Sequence, residues 1–291
     1  MQHRFIDGLS EIIDDYDALF VDLWGCVVDG KRAFPPAIAC LRSLRESGRR
    51  VVLMTNVPRP GDVIHDRLTG MGVSDDCYDA LVTSGDATVH ALNTRADAWH
   101  AAFGKRYFHI GANRNDELLR RIDGVETGIE EADFILVTGF PSREKFSPAD
   151  YDDVFALGRE RGLPLVCANP DRASSHGDRI VYRAGAVAER YEDEHGGDVR
   201  YHGKPDAGIY RLGFAHLGTV DPARVLMIGD NLATDIQGAQ AVGIDALWIA
   251  GGLHAAEIGL DPDAPLEPER VAAVLDASGS RPRAIMAALR W

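Results

Sequence analysis

Two acidic residues of this chain stand at the ends of apolar runs, where phosphoryl and metal chemistry would place them. Asp22 follows the run Ala18–Val21, and Asp230 follows a second run, with Asp235 five residues further along. A carboxylate at the end of a buried strand lies at the edge where open α/β sheets bind ligands. It can attack phosphorus, and a pair of carboxylates suits Mg²⁺, which prefers oxygen ligands. We predict Asp22 as a nucleophile and Asp230 as a metal ligand; the alternative is that these residues cap turns.

Three other polar residues offer contacts for a phosphate group. Thr55 and Asn56 follow the apolar run Val51–Met54 and present a hydroxyl and an amide, although Thr-Asn after a strand is also ordinary turn chemistry. Lys204 is flanked by glycine and proline and offers a positive charge, while a solvated surface lysine is the alternative. We predict Thr55 and Lys204 as catalytic contacts, and both together with Asn56 as substrate ligands.

The elements that position these residues follow an α/β pattern. Nearly continuous apolar runs alternate with amphipathic stretches, which is typical of parallel strands covered on both faces. The amphipathic stretches Ile38–Glu46 and Ala207–His216 predict helices, Asp221 a helix N-cap, and Arg283–Trp291 a terminal helix. The predicted strands are Ala18–Val21, Val51–Met54, Ala80–Val82, Tyr107–Ile110, Phe134–Val137, Leu165–Cys167, Val225–Ile228 and Ala246–Ile249.

The spacing of the chemical motifs predicts a domain inserted within another. The residues linked to chemistry occupy 18–56 and 202–235, and the long span between them has strands and helices of its own. We therefore predict a catalytic core formed by residues 1–88 and 195–291, with an inserted domain at 89–194.

Composition restricts the partners of the protein. The net charge of −14 argues against a nucleic-acid partner, because phosphate backbones need a basic face, and it argues weakly against an anionic membrane surface. No stretch reads as a signal peptide, and no apolar run reaches the ~18–20 residues of a membrane span, so we expect a cytoplasmic protein. The cysteines lack CxxC spacing and predict reduced thiols without a disulfide framework or zinc site. They are Cys26, Cys40, Cys77 and Cys167.

In chain order, these motifs resemble those of the haloacid dehalogenase-like (HAD) superfamily: a nucleophilic Asp, a Ser or Thr, a Lys and an acidic metal pair. More narrowly, the chain is similar to subfamily IIA, which contains p-nitrophenyl, sugar-phosphate, phosphoglycolate and pyridoxal-phosphate phosphatases. The resemblance extends over residues 17–252. The stretches that carry it are Leu53–Asn56, Val82–Thr88, Cys167–Asp171, Gly203–Pro205 and Gly229–Asp235.

The resemblance implies an α/β fold with a Rossmann-like core around a parallel sheet and an inserted α/β C2-type cap. It implies a Mg²⁺-dependent phosphohydrolase that acts on a small phosphorylated metabolite through an aspartyl-phosphate. The implied metal ligands are Asp22, the Trp24 backbone carbonyl and Asp230, with Asp235 in support, while Thr55 and Lys204 hold the phosphoryl oxygens. Cap domains of this kind often dimerise, which leaves a homodimer open.

One position departs from the family pattern. Phosphatases of the family carry a second Asp two residues after the nucleophile, where it acts as general acid and base; this chain has Trp24, whose indole only donates an N–H. General acid–base catalysis contributes roughly 10²–10⁴-fold, so we predict slow hydrolysis of alkyl phosphates and slow breakdown of the phosphoenzyme. Asp29, in a predicted hairpin turn, and the cap residues Asp171, His109 and His176 are alternative proton donors.

Two other classes of function remain open at this point. The chain is alternatively a phosphometabolite-binding or regulatory protein with a largely inactive site. It is also interpretable as a phosphotransferase, or as a C–P or C–halogen hydrolase, whose chemistry needs no general acid at Trp24. The sequence leaves the physiological substrate open.

Overall fold

The eight predicted strands are all present in the computed structural model, which describes residues 3–112, 116–140, 147–176, 179–260 and 265–291, without the side chains of 174–176 and 179–181. Five further strands occur within these ranges. The strands are β1 (Ala18–Val21), β2 (Arg50–Thr55), β3 (Ala80–Thr83), β4 (Arg106–Ile110), β5 (Val125–Glu126), β6 (Phe134–Val137), β7 (Leu165–Cys167), β8 (Ala173–His176), β9 (Arg179–Tyr182), β10 (Val199–Tyr201), β11 (Val225–Gly229), β12 (Asp245–Ile249) and β13 (Ala284–Met286).

The helices predicted over Ile38–Glu46 and Ala207–His216 are present as well, and Asp221 caps a short 3₁₀ turn through its carboxylate, which accepts the Ala223 N–H at 2.9 Å. None of the helices in the described ranges is both long and apolar enough to cross a membrane. The α-helices are α1 (Pro35–Glu46), α2 (Gly61–Gly70), α3 (Ser84–Thr94), α4 (Ala98–Ala101), α5 (Asp116–Leu119), α6 (Asp152–Glu160), α7 (Ala184–Asp193), α8 (Ala207–Leu217), α9 (Gln237–Ala241) and α10 (Pro268–Ser278).

The chain divides into two compact units. The first unit comprises Met1–Thr55, Asp62–Val82 and Tyr210–Trp291, and the second comprises Asn56–Gly61 and Thr83–Ile209. The predicted domains, a core of residues 1–88 and 195–291 and an inserted domain at 89–194, stay a prediction.

The first unit contains a six-stranded sheet in the order β13-β12-β11-β1-β2-β3. The central strand β1 pairs in parallel with β11 and β2, and Val21 lies opposite Ile228 on one side and Leu53 on the other. All four residues of β1 are buried, as expected for a strand covered on both faces. This register brings the carboxyl ends of β11, β1 and β2 to one edge of the sheet.

The predicted terminal helix over Arg283–Trp291 is wrong, because its first part is an edge strand. Ala284, Ile285 and Met286 pair in parallel with β12, and Ile285 also accepts the Ile6 N–H on its other side. Three consecutive buried residues suit a strand covered on both faces, whereas a surface helix buries residues three and four apart. The edge of β12 offers backbone hydrogen bonds to this segment, and these bonds favour a strand over a helix.

The second unit has its own parallel sheet and core. Its five strands lie in the order β10-β7-β6-β4-β5 with parallel pairing, and β8 and β9 form a separate antiparallel pair. One side of the sheet packs through Ile135, Phe155 and Tyr191, and a second cluster forms around Phe134 and Leu136. Two parallel sheets with helices confirm the predicted α/β Rossmann-like fold.

Candidate active site

Asp22 and Asp230 meet at the carboxyl ends of adjacent strands. The Asp22 N–H extends the ladder by donating to the Ile228 carbonyl at 2.8 Å, and the two side chains are only 6% and 7% exposed. One carboxylate oxygen of each, together with the Cys26 Sγ, lies within 4.8 Å of the others. Two ionised carboxylates this close in a buried site repel each other, and a divalent cation bound between them would relieve the repulsion. The donor set therefore fits a divalent metal ion.

The loop after β1 is shaped to bring its backbone against Asp230. Gly25 has φ of +84°, and a Cβ there would lie 2.0 Å from the Asp230 Oδ2, so only glycine fits. The Gly25 N–H donates to the Val28 carbonyl and the Val28 N–H to the Leu23 carbonyl, both at 2.9 Å. The loop is thus closed on itself beside the acidic pair.

Asp230 and Asp235 have different surroundings. The Asp230 Oδ2 accepts the Leu253 N–H at 2.7 Å, whereas the buried Asp235 accepts the Asn231 N–H at 3.0 Å and lies in the π-helical turn Leu232–Ile236. Within the described part of the chain, the convergent ligand group consists of Asp22, Cys26 and Asp230 and does not include Asp235. The contact of Asp235 holds the segment that follows Asp230, and its supporting role stays a prediction.

Thr55 ends β2 next to β1 with its hydroxyl unsatisfied. The residue is completely buried, and no other described residue offers its Oγ1 a hydrogen-bond partner. A buried hydroxyl without a partner costs free energy, so such a group in a native structure points to a bound ligand or water. This observation supports Thr55 as a donor to a phosphoryl oxygen.

The Trp24 side chain is held by the hairpin that follows β1. Its ring packs on the Gly30 backbone and lies 4.9 Å below the Arg67 guanidinium, which also donates to the Gly30 carbonyl at 2.8 Å. The indole Nε1 is buried and finds no acceptor among the described residues. The position therefore offers a fixed aromatic surface and no titratable group.

Asp29 is a turn residue and a poor substitute for the absent acid. It is exposed, and its carboxylate accepts the backbone N–H groups of Arg32 and Lys31 at 2.9 and 2.8 Å. These hydrogen bonds and the Arg32 guanidinium hold the pKa of Asp29 below its usual range. A carboxyl with a lowered pKa is ionised at neutral pH and so carries no proton to donate to a leaving group.

In the second unit, the Asn56 side chain forms two hydrogen bonds with the backbone of Lys204. The Asn56 Oδ1 accepts the Lys204 N–H at 2.7 Å, and its Nδ2 donates to the Lys204 carbonyl at 2.9 Å and to the Asp171 carboxylate at 3.0 Å. Lys204 is only 1% exposed, which excludes the alternative of a solvated surface lysine. The amide that we predicted as a substrate ligand is thus engaged in positioning the lysine.

We expect Asn56→Ala to lower the free energy of unfolding by about 2–4 kcal/mol, because it removes two buried hydrogen bonds from the Lys204 backbone. Urea unfolding followed by circular dichroism measures this loss. The matched control is Asn93→Ala, since the exposed Asn93 also bonds two backbone groups, the Arg121 carbonyl and the Asp123 N–H. Equal losses for the two variants would contradict the positioning role.

Ser84 was not singled out as a site residue, although its hydroxyl resembles that of Thr55. It follows β3 directly, is completely buried, and its Oγ has no hydrogen-bond partner in the described ranges. Its Cβ lies 2.9 Å from where a Cβ of Gly203 would be, next to the Lys204 backbone. The sequence signal for Ser84 is the same as for Thr55: a hydroxyl residue at the end of a predicted strand.

The other alternative proton donors have local roles in the second unit. Asp171 accepts from Asn56, and its own N–H donates to the Asn169 side chain at 2.9 Å. The His109 Nε2 lies 2.8 Å from the Thr138 hydroxyl, and burial lowers the pKa of His109 to about 4, so that it is uncharged at neutral pH. The side chain of His176 lies outside the described residues.

A buried histidine pair precedes the lysine motif. The Nε2 atoms of His100 and His202 are 3.1 Å apart, and the His100 Nδ1 is 2.8 Å from the Asp97 carboxylate. Burial and the neighbouring His100 lower the pKa of His202 to about 3. The folded protein therefore holds His202 in its neutral form over most of the acidic range.

We expect acidification to destabilise the protein through His202. Its pKa is near 6.5 in an unfolded chain, so between pH 6.5 and about 3 the unfolded state binds a proton that the folded state does not. From pH 7 to pH 5 this group alone should cost about 2 kcal/mol. In His202→Asn the loss over this interval should be smaller by that amount, whereas the exposed His216→Asn should follow the wild type. An unchanged pH slope in His202→Asn would refute the assignment.

The fold and the site define a class of protein: a Rossmann-like α/β protein with a buried pair of acidic residues at the carboxyl edge of its parallel sheet. Residues 19–124 match the family model described as haloacid dehalogenase-like hydrolase, and residues 201–278 match a second model of HAD hydrolase-like proteins.

Three relatives illustrate the similarity. A haloacid dehalogenase-like hydrolase from Brucella suis 1330 is 35% identical over 98% of this chain and 100% of its own, with a TM-score of 0.82. The 5'-nucleotidase YutF of Bacillus subtilis is 25% identical over 82% of this chain and 88% of its own. The 4-nitrophenylphosphatase of Thermotoga maritima shares the fold, with a TM-score of 0.71 and 22% identity over 94% of each chain.

The chain therefore belongs to the haloacid dehalogenase-like hydrolase family, within subfamily IIA. It is a hydrolase of the phosphatase type.

Proposed function

We propose that this protein is a Mg²⁺-dependent phosphohydrolase that acts on a small phosphorylated metabolite through an aspartyl-phosphate on Asp22. The observation that carries the proposal is the convergence of the buried Asp22 and Asp230 carboxylates at the ends of β1 and β11. The named phosphatases and nucleotidase among the relatives support the same substrate class.

The residues of this chain divide the reaction among them. The Asp22 carboxylate attacks phosphorus in line, forming the new O–P bond as the ester oxygen leaves with its electron pair. The Thr55 hydroxyl donates to a phosphoryl oxygen, and Lys204 supplies positive charge to the phosphoryl group. Asp22, Asp230 and the Trp24 backbone carbonyl would hold Mg²⁺, which would supply positive charge to the phosphate and the attacking carboxylate.

Trp24 limits which substrates turn over quickly. With no acid at this position, the leaving oxygen departs unprotonated, which a phenolate tolerates far better than an alkoxide. The same absence leaves no base to activate the water that cleaves the aspartyl-phosphate. We therefore propose a preference for good leaving groups and a slow second half-reaction.

A second candidate function is favoured by the same residue. A chain that retains Asp22, Asp230 and Lys204 but has Trp24 in place of the general acid suits a phosphometabolite-binding or regulatory protein with little turnover. A phosphotransferase, or a C–P or C–halogen hydrolase, is the third candidate, because none of these needs an acid at that position.

A metabolite phosphatase screen distinguishes these candidates. The phosphohydrolase should release inorganic phosphate with Mg²⁺ present, stop when EDTA removes the metal, and recover when Mg²⁺ is restored. It should also show a burst of p-nitrophenol from p-nitrophenyl phosphate, followed by a slow steady state. Mg²⁺-dependent binding of a phosphometabolite without a phosphoenzyme would support the binding protein instead.

We also propose a cytoplasmic location and a homodimer as parts of this function. The cytoplasmic location is supported by the four cysteines, which are buried and reduced, as in a reducing compartment. The homodimer is supported by the frequent dimerisation of related cap domains, and light scattering of the purified protein tests it.

A further inference from the structure

The Cys26 thiol lies beside the carboxylates of Asp22 and Asp230, and the motifs described above do not include it. We propose that Cys26 is a third protein ligand of the metal centre, and that it gives this centre a higher affinity for thiophilic divalent ions such as Zn²⁺ and Co²⁺ than two carboxylates alone would. The inference rests on the proposed function in one respect, because it concerns the same metal centre.

The distances allow one ion to bind all three side chains. The Cys26 Sγ, an Asp22 carboxylate oxygen and an Asp230 carboxylate oxygen all lie within 4.8 Å of one another. A metal–sulfur bond is about 2.3 Å and a metal–oxygen bond about 2.0–2.2 Å, so two ligand atoms of one ion lie at most about 4.5 Å apart. The three atoms are therefore within a few tenths of an ångström of a common coordination sphere.

The loop after β1 fixes the position of the Cys26 thiol. Cys26 is 1% exposed and stands between Gly25, pressed against Asp230, and Val27, whose N–H donates to the Leu23 carbonyl at 2.9 Å. These contacts fix the backbone on both sides of Cys26. Its Sγ is thereby held beside the carboxylates of Asp22 and Asp230.

The chemistry of the donor set predicts a change in metal selectivity. An all-oxygen site suits Mg²⁺, whereas a thiolate favours Zn²⁺ and similar borderline ions. On binding, the thiol releases its proton to solvent, and the sulfur donates an electron pair to the ion. Buried cysteines also occur as small hydrophobic residues, and Cys40 in α1 is a matched example in the same unit, where burial raises its pKa to about 12.

Cobalt(II) is a direct probe, because a sulfur ligand produces a near-ultraviolet thiolate-to-cobalt charge-transfer band. We expect the wild-type protein titrated with Co²⁺ to develop this band at one equivalent. Cys26→Ser should lose it, while Cys40→Ser should keep it. Competition against Zn²⁺ should show that Cys26→Ser weakens Zn²⁺ binding by at least about 10–100-fold, the loss caused by removing even an outer-shell partner of a metal ligand, with little change for Mg²⁺.

The outcomes separate this inference from the proposed function. Wild-type protein that binds Co²⁺ without the band, or whose band survives in Cys26→Ser, overturns the role of Cys26 while leaving a carboxylate metal centre and phosphatase activity intact. The band without any phosphatase activity would support the thiol ligand and contradict the proposed function. The wild-type spectrum is informative even if Cys26→Ser folds poorly, since a missing band in the wild type alone refutes the inference.

Discussion

Asp22→Asn is expected to lower the Mg²⁺-supported turnover of p-nitrophenyl phosphate by at least about 10⁴-fold, as the loss of a covalent nucleophile does in other enzymes. The amide cannot form the aspartyl-phosphate, and it also removes one of the two negative charges that face each other across the buried site. Metal affinity should therefore fall together with turnover.

The effect is measured as the steady-state rate and the p-nitrophenol burst, with circular dichroism to verify folding. Asp29→Asn is the matched control, because Asp29 lies in the same loop but is exposed and bonds only to nearby residues of its own turn in the contacts described. Its activity should equal that of the wild type. Retained activity in Asp22→Asn would eliminate the nucleophile assignment, and a collapse in Asp29→Asn would show that Asp29 supplies the absent acid.

Trp24→Asp is expected to raise the turnover of an alkyl phosphate by roughly 10²–10⁴-fold, the usual contribution of a general acid and base. The gain on p-nitrophenyl phosphate should be smaller in the first half-reaction, because p-nitrophenolate leaves readily without a proton. The substitution also removes the stacking of the indole on Arg67 and Gly30, so some loss of stability is expected.

Trp24→Asn separates proton transfer from the removal of bulk. It has nearly the size and shape of the aspartate variant but cannot titrate, so it should open the same space without the gain in rate. The comparison is made as kcat and kcat/KM for one alkyl and one aryl phosphate. Equal gains in Trp24→Asp and Trp24→Asn would show that the tryptophan blocks the substrate sterically and that the missing acid is not the limiting factor.

The strand ends of the site were predictable because their signals are local. A buried parallel strand reads as an uninterrupted apolar run, and Asp22, Thr55 and Asp230 stand directly at or after such runs. Once β1 pairs with β2 and β11, the carboxyl ends of three runs share one edge of the sheet. The parallel α/β class and the family follow from the same motifs.

Other features depend on contacts between distant parts of the chain. In the sequence Cys26 is an isolated cysteine, and only the fold places Asp230 beside it. Likewise, only the fold shows that the Asn56 amide binds the Lys204 backbone, while its role as a substrate ligand stays a prediction. The segment after Arg283 has an amphipathic pattern, yet it extends the sheet because β12 has an edge to be paired. These contacts join residues that are distant in sequence, so the local sequence pattern does not predict them.

The sequence by itself determined the chemical types at the strand ends, including the tryptophan that stands where the family carries its acid. Tertiary structure decided which of these side chains lie in contact and which of their polar groups are already hydrogen-bonded. It made Thr55 a buried hydroxyl without a partner among the described residues, engaged Asn56 in holding Lys204, and added a thiol to the acidic pair. The physical reason is that burial and hydrogen bonding depend on the whole packing environment, whereas propensity and periodicity report only on the local chain.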